Sequence, residues 1–218
     1  MVVASSQPWV DWAWVSHHHG VIRHDLWEHV VLTVLAVGIG LAITFVLAAM
    51  ARAWRPLEAP LLAACGALYA VPSLALFALL VPITGFTTTT AEIGLVGYTL
   101  LILLRNLLTG LEAVPEEVRD AARGLGFSRT RTLTRVELPL ALPALFAGIR
   151  VATVTTIGLV TITALIGQGG LGSLLFDGFQ RDFRTEEVLG AALAIALAFA
   201  ADLVLVGVER MLTPWTAA

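Results

Sequence analysis

Pro115-Glu-Glu-Val-Arg-Asp-Ala-Ala-Arg-Gly-Leu-Gly126 is a polar island between two long apolar runs, residues 93–111 and 142–166. It has the marks of a short helix with deliberate ends. Pro115 suits the first helical position, Glu116 and Glu117 complement the positive end, and Arg123 complements the negative end. Gly124 or Gly126 supplies the left-handed closing residue. Val118, Ala122 and Leu125 recur at i, i+4 and i+7, which predicts one apolar stripe, and the adjoining Ala121 and Ala122 keep that surface low. A second helical piece is predicted over 128–136, ending before Pro139.

Outward from this island the chain is built for lipid. Of its 218 residues 58% are hydrophobic and only 13% charged, with a mean hydropathy of +0.87. A soluble domain carries about 25% charged residues. Five apolar runs, 30–51, 59–81, 93–111, 142–166 and 188–209, are each near the roughly 20 residues that cross a bilayer as a helix. The runs are continuous and do not alternate, so helices are expected and barrel strands are not. The expected fold is an all-α membrane protein of five spans, with a segment at 1–29, a membrane domain at 30–212 and a polar loop at 112–141. Pro72 falls inside the second run and predicts a kink or local opening there.

Arginine bias orients the spans. Arg52, Arg55, Arg119, Arg123, Arg129, Arg131, Arg135 and Arg210 collect on one side, with Arg105 near the same boundary, against Arg23, Arg181 and Arg184 on the other. The rich side is expected to be cytoplasmic, which puts the N-terminus outside and the C-terminus inside a cell or inner membrane. Trp9, Trp12, Trp14 and Trp27 then mark the outer interface, and Trp54 and Trp215 the inner one.

Several chemistries fall away. The chain has no lysine, so a G-x-x-x-x-G-K-[ST] phosphate loop is impossible and any use of ATP belongs to a partner. One cysteine, Cys65, rules out a disulfide framework. His17, His18, His19, His24 and His29 lack regular ligand spacing, and no metal site is assigned. Gly167-Gln-Gly-Gly-Leu-Gly172 follows a membrane run and no strand, so it reads as a tight re-entry turn and not a dinucleotide fingerprint. No histidine is expected within a span, and no paired acids or nucleophile motif point to an enzyme.

The loop also resembles a known family. Asp120-Ala121-Ala122, three more residues, Gly126, nine more, Val136, one more, then Leu138-Pro139 is similar to the EAA-loop of ATP-binding cassette importer permeases, E-A-A-x3-G-x9-I-x-L-P. Every spacing matches, with Asp for Glu at 120 and Val for Ile at 136. Ala70-Val-Pro-Ser-Leu-Ala75, Leu104-Arg-Asn-Leu-Leu-Thr-Gly110, Ala147-Gly-Ile-Arg150 and Leu165-Ile-Gly-Gln-Gly-Gly-Leu-Gly172 resemble permeases of the osmoprotectant branch. The likeness runs over about 28–212. It implies a type I importer permease fold and carriage of glycine betaine, carnitine, choline or a similar solute. Asp120, Ala121, Ala122 and Gly126 would form the surface that docks in an ATPase groove. It also implies two ATPases holding ATP and Mg, a second identical or related permease, and an extracytoplasmic solute-binding protein. Nucleic acid has no place in this set. An aromatic cage for the quaternary ammonium is expected in the binding protein.

Other readings stay open beside it. The same class of permease could serve an amino acid or another small solute. A stand-alone channel or secondary transporter is disfavoured, because five spans do not divide into repeated halves. Tyr69, Pro72, Ser73, Gln168, Gly169 and Gly170 are candidate pathway or gate residues, with helix packing an equal alternative for the polar ones. Arg150 and Asp202 lie at matching depths, roughly 10 Å inside the arginine-rich ends of their spans, and are expected to pair. Arg105 could compete for Asp202.

Overall fold

Thirty-five consecutive residues, His19–Ala53, form one helix, α2, about 52 Å long at 1.5 Å per residue. That exceeds the roughly 30 Å of a hydrocarbon core. The protein is described here by a computed structural model covering residues 8–216, all helix and turn, with no strand among the described residues. Before α2 stands a six-residue helix, α1 (Trp12–His17), whose first turn is capped by Asp11: Ala13 and Trp14 donate their N–H groups to its carboxylate at 2.9 and 3.2 Å. Residues 19–29, expected as a segment ahead of the first span, are helical and continuous with it.

The second apolar run is two helices, α3 (Glu58–Ala70) and α4 (Ser73–Thr84), broken at Val71-Pro72 with a bend of 93°. Pro72 has no N–H to continue the first ladder, and its fixed φ opens α4 instead. Helix α5 (Thr88–Glu112) starts five residues earlier than the apolar run does. The Thr87 hydroxyl accepts the Thr90 N–H at 3.3 Å, so the threonines ahead of the apolar run cap the helix and form its first turn.

Next come α6 (Glu116–Gly124), a single turn α7 (Arg129–Thr132), and α8 (Leu138–Thr163). The helix predicted to end before Pro139 does not end. Residues Leu133–Glu137 form a π-type turn in which the Leu138 N–H reaches back to Leu133, and α8 continues directly. The wide turn already breaks the i→i−4 register, so Pro139 enters where its missing N–H costs little. After Gly167, left-handed at φ 74°, come α9 (Leu171–Arg181) and α10 (Arg184–Leu212). Among the described residues, four helices are long and apolar enough to span a membrane, or five spans if α3 and α4 count as one broken crossing.

The chain divides into two compact units, and α2, α5, α8 and α10 each give a stretch to both. One unit comprises the chain up to Ala36, Val71–Val96 and Val154–Ala200; the other comprises Val37–Ala70, Gly97–Thr153 and Ala201–Ala218. The core of the first is Leu32, Ala36, Phe77, Ala91, Leu95, Val160 and Ile166. The core of the second gathers Ala48, Ala51, Cys65, Leu104, Leu107, Leu108, Leu111, Ala141 and Leu145. There α5 and α8 pack closely through small residues: a Cβ on Gly110 would lie 2.8 Å from that of Ala144. Outward-facing Ile195, Phe199, Leu203 and Val204 leave α10 with an exposed apolar flank, which suits lipid or another subunit.

Candidate functional site

The polar island is a capped and braced helix. Pro115 stands just before its first turn. At the other end Gly126 takes φ 78°, Phe127 donates to the Ala122 carbonyl at 3.1 Å and Gly126 to that of Arg123 at 2.9 Å. This is the Schellman closure, so Gly126 and not Gly124 is the turning residue. The expected stripe does not hold as one surface. Ala122 is 4% exposed and faces inward, whereas Leu125, beyond the helix end, is 77% exposed. The closing turn swings Leu125 off the helix face. Asp120, Ala121 and Gly126 are exposed. The surface open to a partner is therefore these three with Leu125, and Ala122 is part of the support beneath it.

Ion pairs fasten α6 to its neighbours. Glu137, 6% exposed in the π-type turn, accepts from Arg52 Nη2 at 2.8 Å and from Arg119 Nε at 3.2 Å. Arg119 also donates to Glu116 at 3.1 Å and to the Leu111 carbonyl at 2.6 Å. A single buried carboxylate thus joins the end of α2, the middle of α6 and the entry to α8. Arg123 donates to Glu116 at 2.6 Å and also to Asp120. The Arg119 hydrogen bond, with Arg123 nearby, holds the Glu116 carboxyl below the usual glutamate range. A cavity of about 430 Å³ opens here, lined by Arg52, Arg55, Arg119, Arg123 and Arg129 against Glu116 and Glu137. Of the remaining motif residues, Leu138 packs on the core of this unit. Val136 and Pro139 border a hollow with Trp215.

The structure brings Arg150 and Asp202 together as a two-pronged pair: Nε to Oδ1 at 2.8 Å and Nη2 to Oδ2 at 3.0 Å. Glu209 lies 3.7 Å from Nη1 and is the third member; Arg105 is exposed and takes no part. Tyr69 meets the Tyr98 ring edge-on at 5.8 Å between centroids. Ser73 opens α4, directly after Pro72.

In the other unit Gln168 accepts from the Thr88 hydroxyl at 2.7 Å, and its backbone bonds Thr163. Gly169 and Gly170 are buried in the turn. Gly170, at φ 47°, has its Cβ position 2.7 Å from both the Asp25 carbonyl and the His29 nitrogen, so only glycine fits. His29 corrects the expectation that spans lack histidine: α2 begins early enough to include it. It is fully buried, and its Nε2 lies 3.0 Å from the Ile157 carbonyl. His17, His18 and His19 sit against carbonyls of their own helical turn, and His18 stacks on Trp14. Possible ligand atoms of His24, Asp25 and Glu28 gather within 4.8 Å, with His24 already 3.5 Å from Asp25.

Sequence reasoning missed Glu92. It stands one position before the third apolar run, 93–111, yet it lies inside α5, and both of its carboxylate oxygens are buried without a hydrogen-bond partner among the described residues. The capping run of threonines was the available signal.

Comparison with known proteins bears on what this arrangement serves. Residues 35–217 match the family model described as binding-protein-dependent transport system inner membrane component. An osmoprotectant import permease protein of Salmonella typhimurium is 36% identical over 200 residues, covering 89% of this chain and 93% of its own. A choline transport system permease protein of Bacillus subtilis is 32% identical, with 89% and 90% covered. Among solved structures, an inward-facing methionine transporter chain aligns with a TM-score of 0.78 at 18% identity, covering 90% of this chain and 98% of its own. A chain of an amino acid transporter aligns at 0.70 and 19%, with 94% and 98% covered. At these identities the structural likeness speaks for the fold.

Proposed function

Since the chain belongs to the family of binding-protein-dependent transport system inner membrane components, we propose that it is the permease subunit of an ATP-driven importer for a small quaternary ammonium osmoprotectant. Glycine betaine, carnitine and choline are the substrates in view, following the names of its relatives. The observation that carries the coupling part of this reading is α6. It is a capped helix with Asp120, Ala121 and Gly126 open to a partner and a buried Glu137 bracing it from behind. A helix held so firmly moves as a body, and a groove that grips its outer face can pass its own closure to α2 and α8.

Two ATPases are proposed to bind ATP and Mg, since this chain has no lysine for a phosphate loop. A second permease, identical or related, completes the pathway, and a solute-binding protein delivers the substrate from the opposite face. The arginine-rich side, including α6, is cytoplasmic, with the N-terminus outside and the C-terminus inside.

Ala121→Trp is the direct test, because Ala122 is buried and its enlargement would disturb the fold itself. The variant should insert normally, lose its hold on the ATPase during co-purification and abolish ATP-dependent uptake of radiolabelled betaines. Full uptake by Ala121→Trp would refute the docking. Failure of the reconstituted wild-type complex to take up any quaternary ammonium, while it takes up an amino acid, would refute the substrate.

A further inference from the structure

The cavity of about 430 Å³ beside α6 carries more positive charge than its neighbouring acids balance. Arg52 and Arg119 are engaged by Glu137, and Arg123 by Glu116 and Asp120. Arg55 and Arg129 line the same space, and neither side chain has a hydrogen-bond or ion-pair partner among the described residues. They come from different elements: Arg55 opens the turn Arg55–Leu57 between α2 and α3, and Arg129 opens α7. Both are exposed. Two unpaired arginines spread over a convex surface would be ordinary. Two that meet on a concave wall already holding three others make a focused positive field.

Thr132 adds an independent sign. It also lines the cavity, is 6% exposed, and its hydroxyl has no hydrogen-bond partner among the described residues. The wall is therefore short of acceptors as well as of negative charge. Guanidinium groups around a concavity suit an oxyanion, because each presents a fork of N–H donors that meets two oxygens. Two uncompensated charges balance a dianion, whereas a lone carboxylate would leave one over. The volume falls within the roughly 300–1,000 Å³ of small-molecule sites, so a phosphoryl group with a small body attached has room. Phe127 gives that body an apolar side, and Arg131 stacks on the same ring at 4.4 Å from its centroid.

We propose that this cavity is a binding site for a phosphoryl dianion, held chiefly by Arg55 and Arg129. Bound there, the group joins the turn after α2 to α7, beside the Glu137 cluster that holds α6. The chemistry recognised is the same whether the phosphoryl group belongs to a soluble compound or to the headgroup of an anionic phospholipid. The exposed Trp54, next to Arg55, marks the membrane interface from which a headgroup would reach the site. The site does not depend on which solute the chain carries.

The test is titration calorimetry on the full chain in an uncharged detergent, without any ATPase to bind phosphate itself. The probes are inorganic phosphate and dioctanoyl phosphatidate, at constant chloride. Wild type should bind at least one of them saturably, with one molecule per chain. Arg55→Gln and Arg129→Gln should each weaken that binding about tenfold, and the pair should abolish it. Arg105→Gln, an equal loss of charge at an exposed residue outside the cavity, should leave it unchanged. Should the glutamine pair fail to fold, Arg55→Lys with Arg129→Lys keeps the charge, loses the forked donors and should still weaken binding severalfold. Binding of inorganic phosphate, with or without phosphatidate, upholds the site with a soluble source; binding of phosphatidate alone upholds it with a lipid headgroup. No saturable binding of either probe by wild type would overturn the proposal. So would binding that survives loss of both arginines, or that Arg105→Gln weakens equally, the mark of diffuse attraction to a basic surface.

Discussion

Glu137 and Glu92 both have enclosed carboxylates, one in each compact unit, and they are treated in opposite ways. Around Glu137 the chain supplies two guanidinium groups at 2.8 and 3.2 Å, and the whole cluster gathers α2, α6 and α8. Around Glu92 it supplies nothing: both oxygens are without partners among the described residues. The first acid is complete within the folded chain and acts as a fastener. The second is left without a hydrogen bond among the described residues, so it fastens nothing.

The sharpest way to break this contrast is to remove one carboxylate at a time. Glu137→Ala leaves Arg52 and Arg119 facing each other without their shared counter-ion, a loss of roughly 3–5 kcal/mol for a buried pair. Thermal unfolding in detergent should show a large drop in the midpoint or no folded protein at all. A midpoint near that of wild type would mean that the cluster fastens nothing. Glu92→Leu should move the midpoint the other way, upward by the equivalent of about 1–3 kcal/mol, because it removes an unsatisfied buried group. A destabilised Glu92→Leu would show that Glu92 is held by something the contrast leaves out.

Arg150 and Asp202 sharpen the comparison from between the two extremes. Their side chains are paired as well as Glu137 but each remains 34% exposed, so water can replace a lost partner. Either single alanine variant should lower the midpoint less than Glu137→Ala does. The double variant should cost less than the sum of the two, with Glu209 taking part of the Arg150 interaction in Asp202→Ala. Strict additivity in a double-mutant cycle would remove the coupling.

What the sequence made legible and what it hid follow from the same physics. Continuous apolar runs announce spans because lipid allows few alternatives, and the spacing from Asp120 to Pro139 announces the family through a loop that needs fixed geometry. Meeting of Arg150 and Asp202 needed no more than residue counts from two helix ends. Hydropathy failed wherever a helix continues through polar residues: α2 takes in His29, and α5 takes in Thr88 and Glu92. Apolar windows mark where lipid is, and hydrogen-bonded ladders run past those borders. Ala122 was misread for another reason. An alanine is small enough for either side of a helix, and only the buried neighbours of α6 decide which side it takes.

The π-type turn at Leu133–Glu137 has a consequence for how the molecule tolerates change. Such a turn holds about one residue more than an α-helical path would need, and one residue is about 100° of rotation around a helix. It therefore sets the phase between the loop and everything downstream in α8. With the extra residue in place, Glu137 faces Arg52 and Arg119 while Arg150, thirteen positions later, faces Asp202. Loss of a single residue from this turn would leave every side chain of α8 intact in identity and wrong in direction. The five residues behave as a keyway, and the loop and the span can vary in sequence only while that key keeps its length.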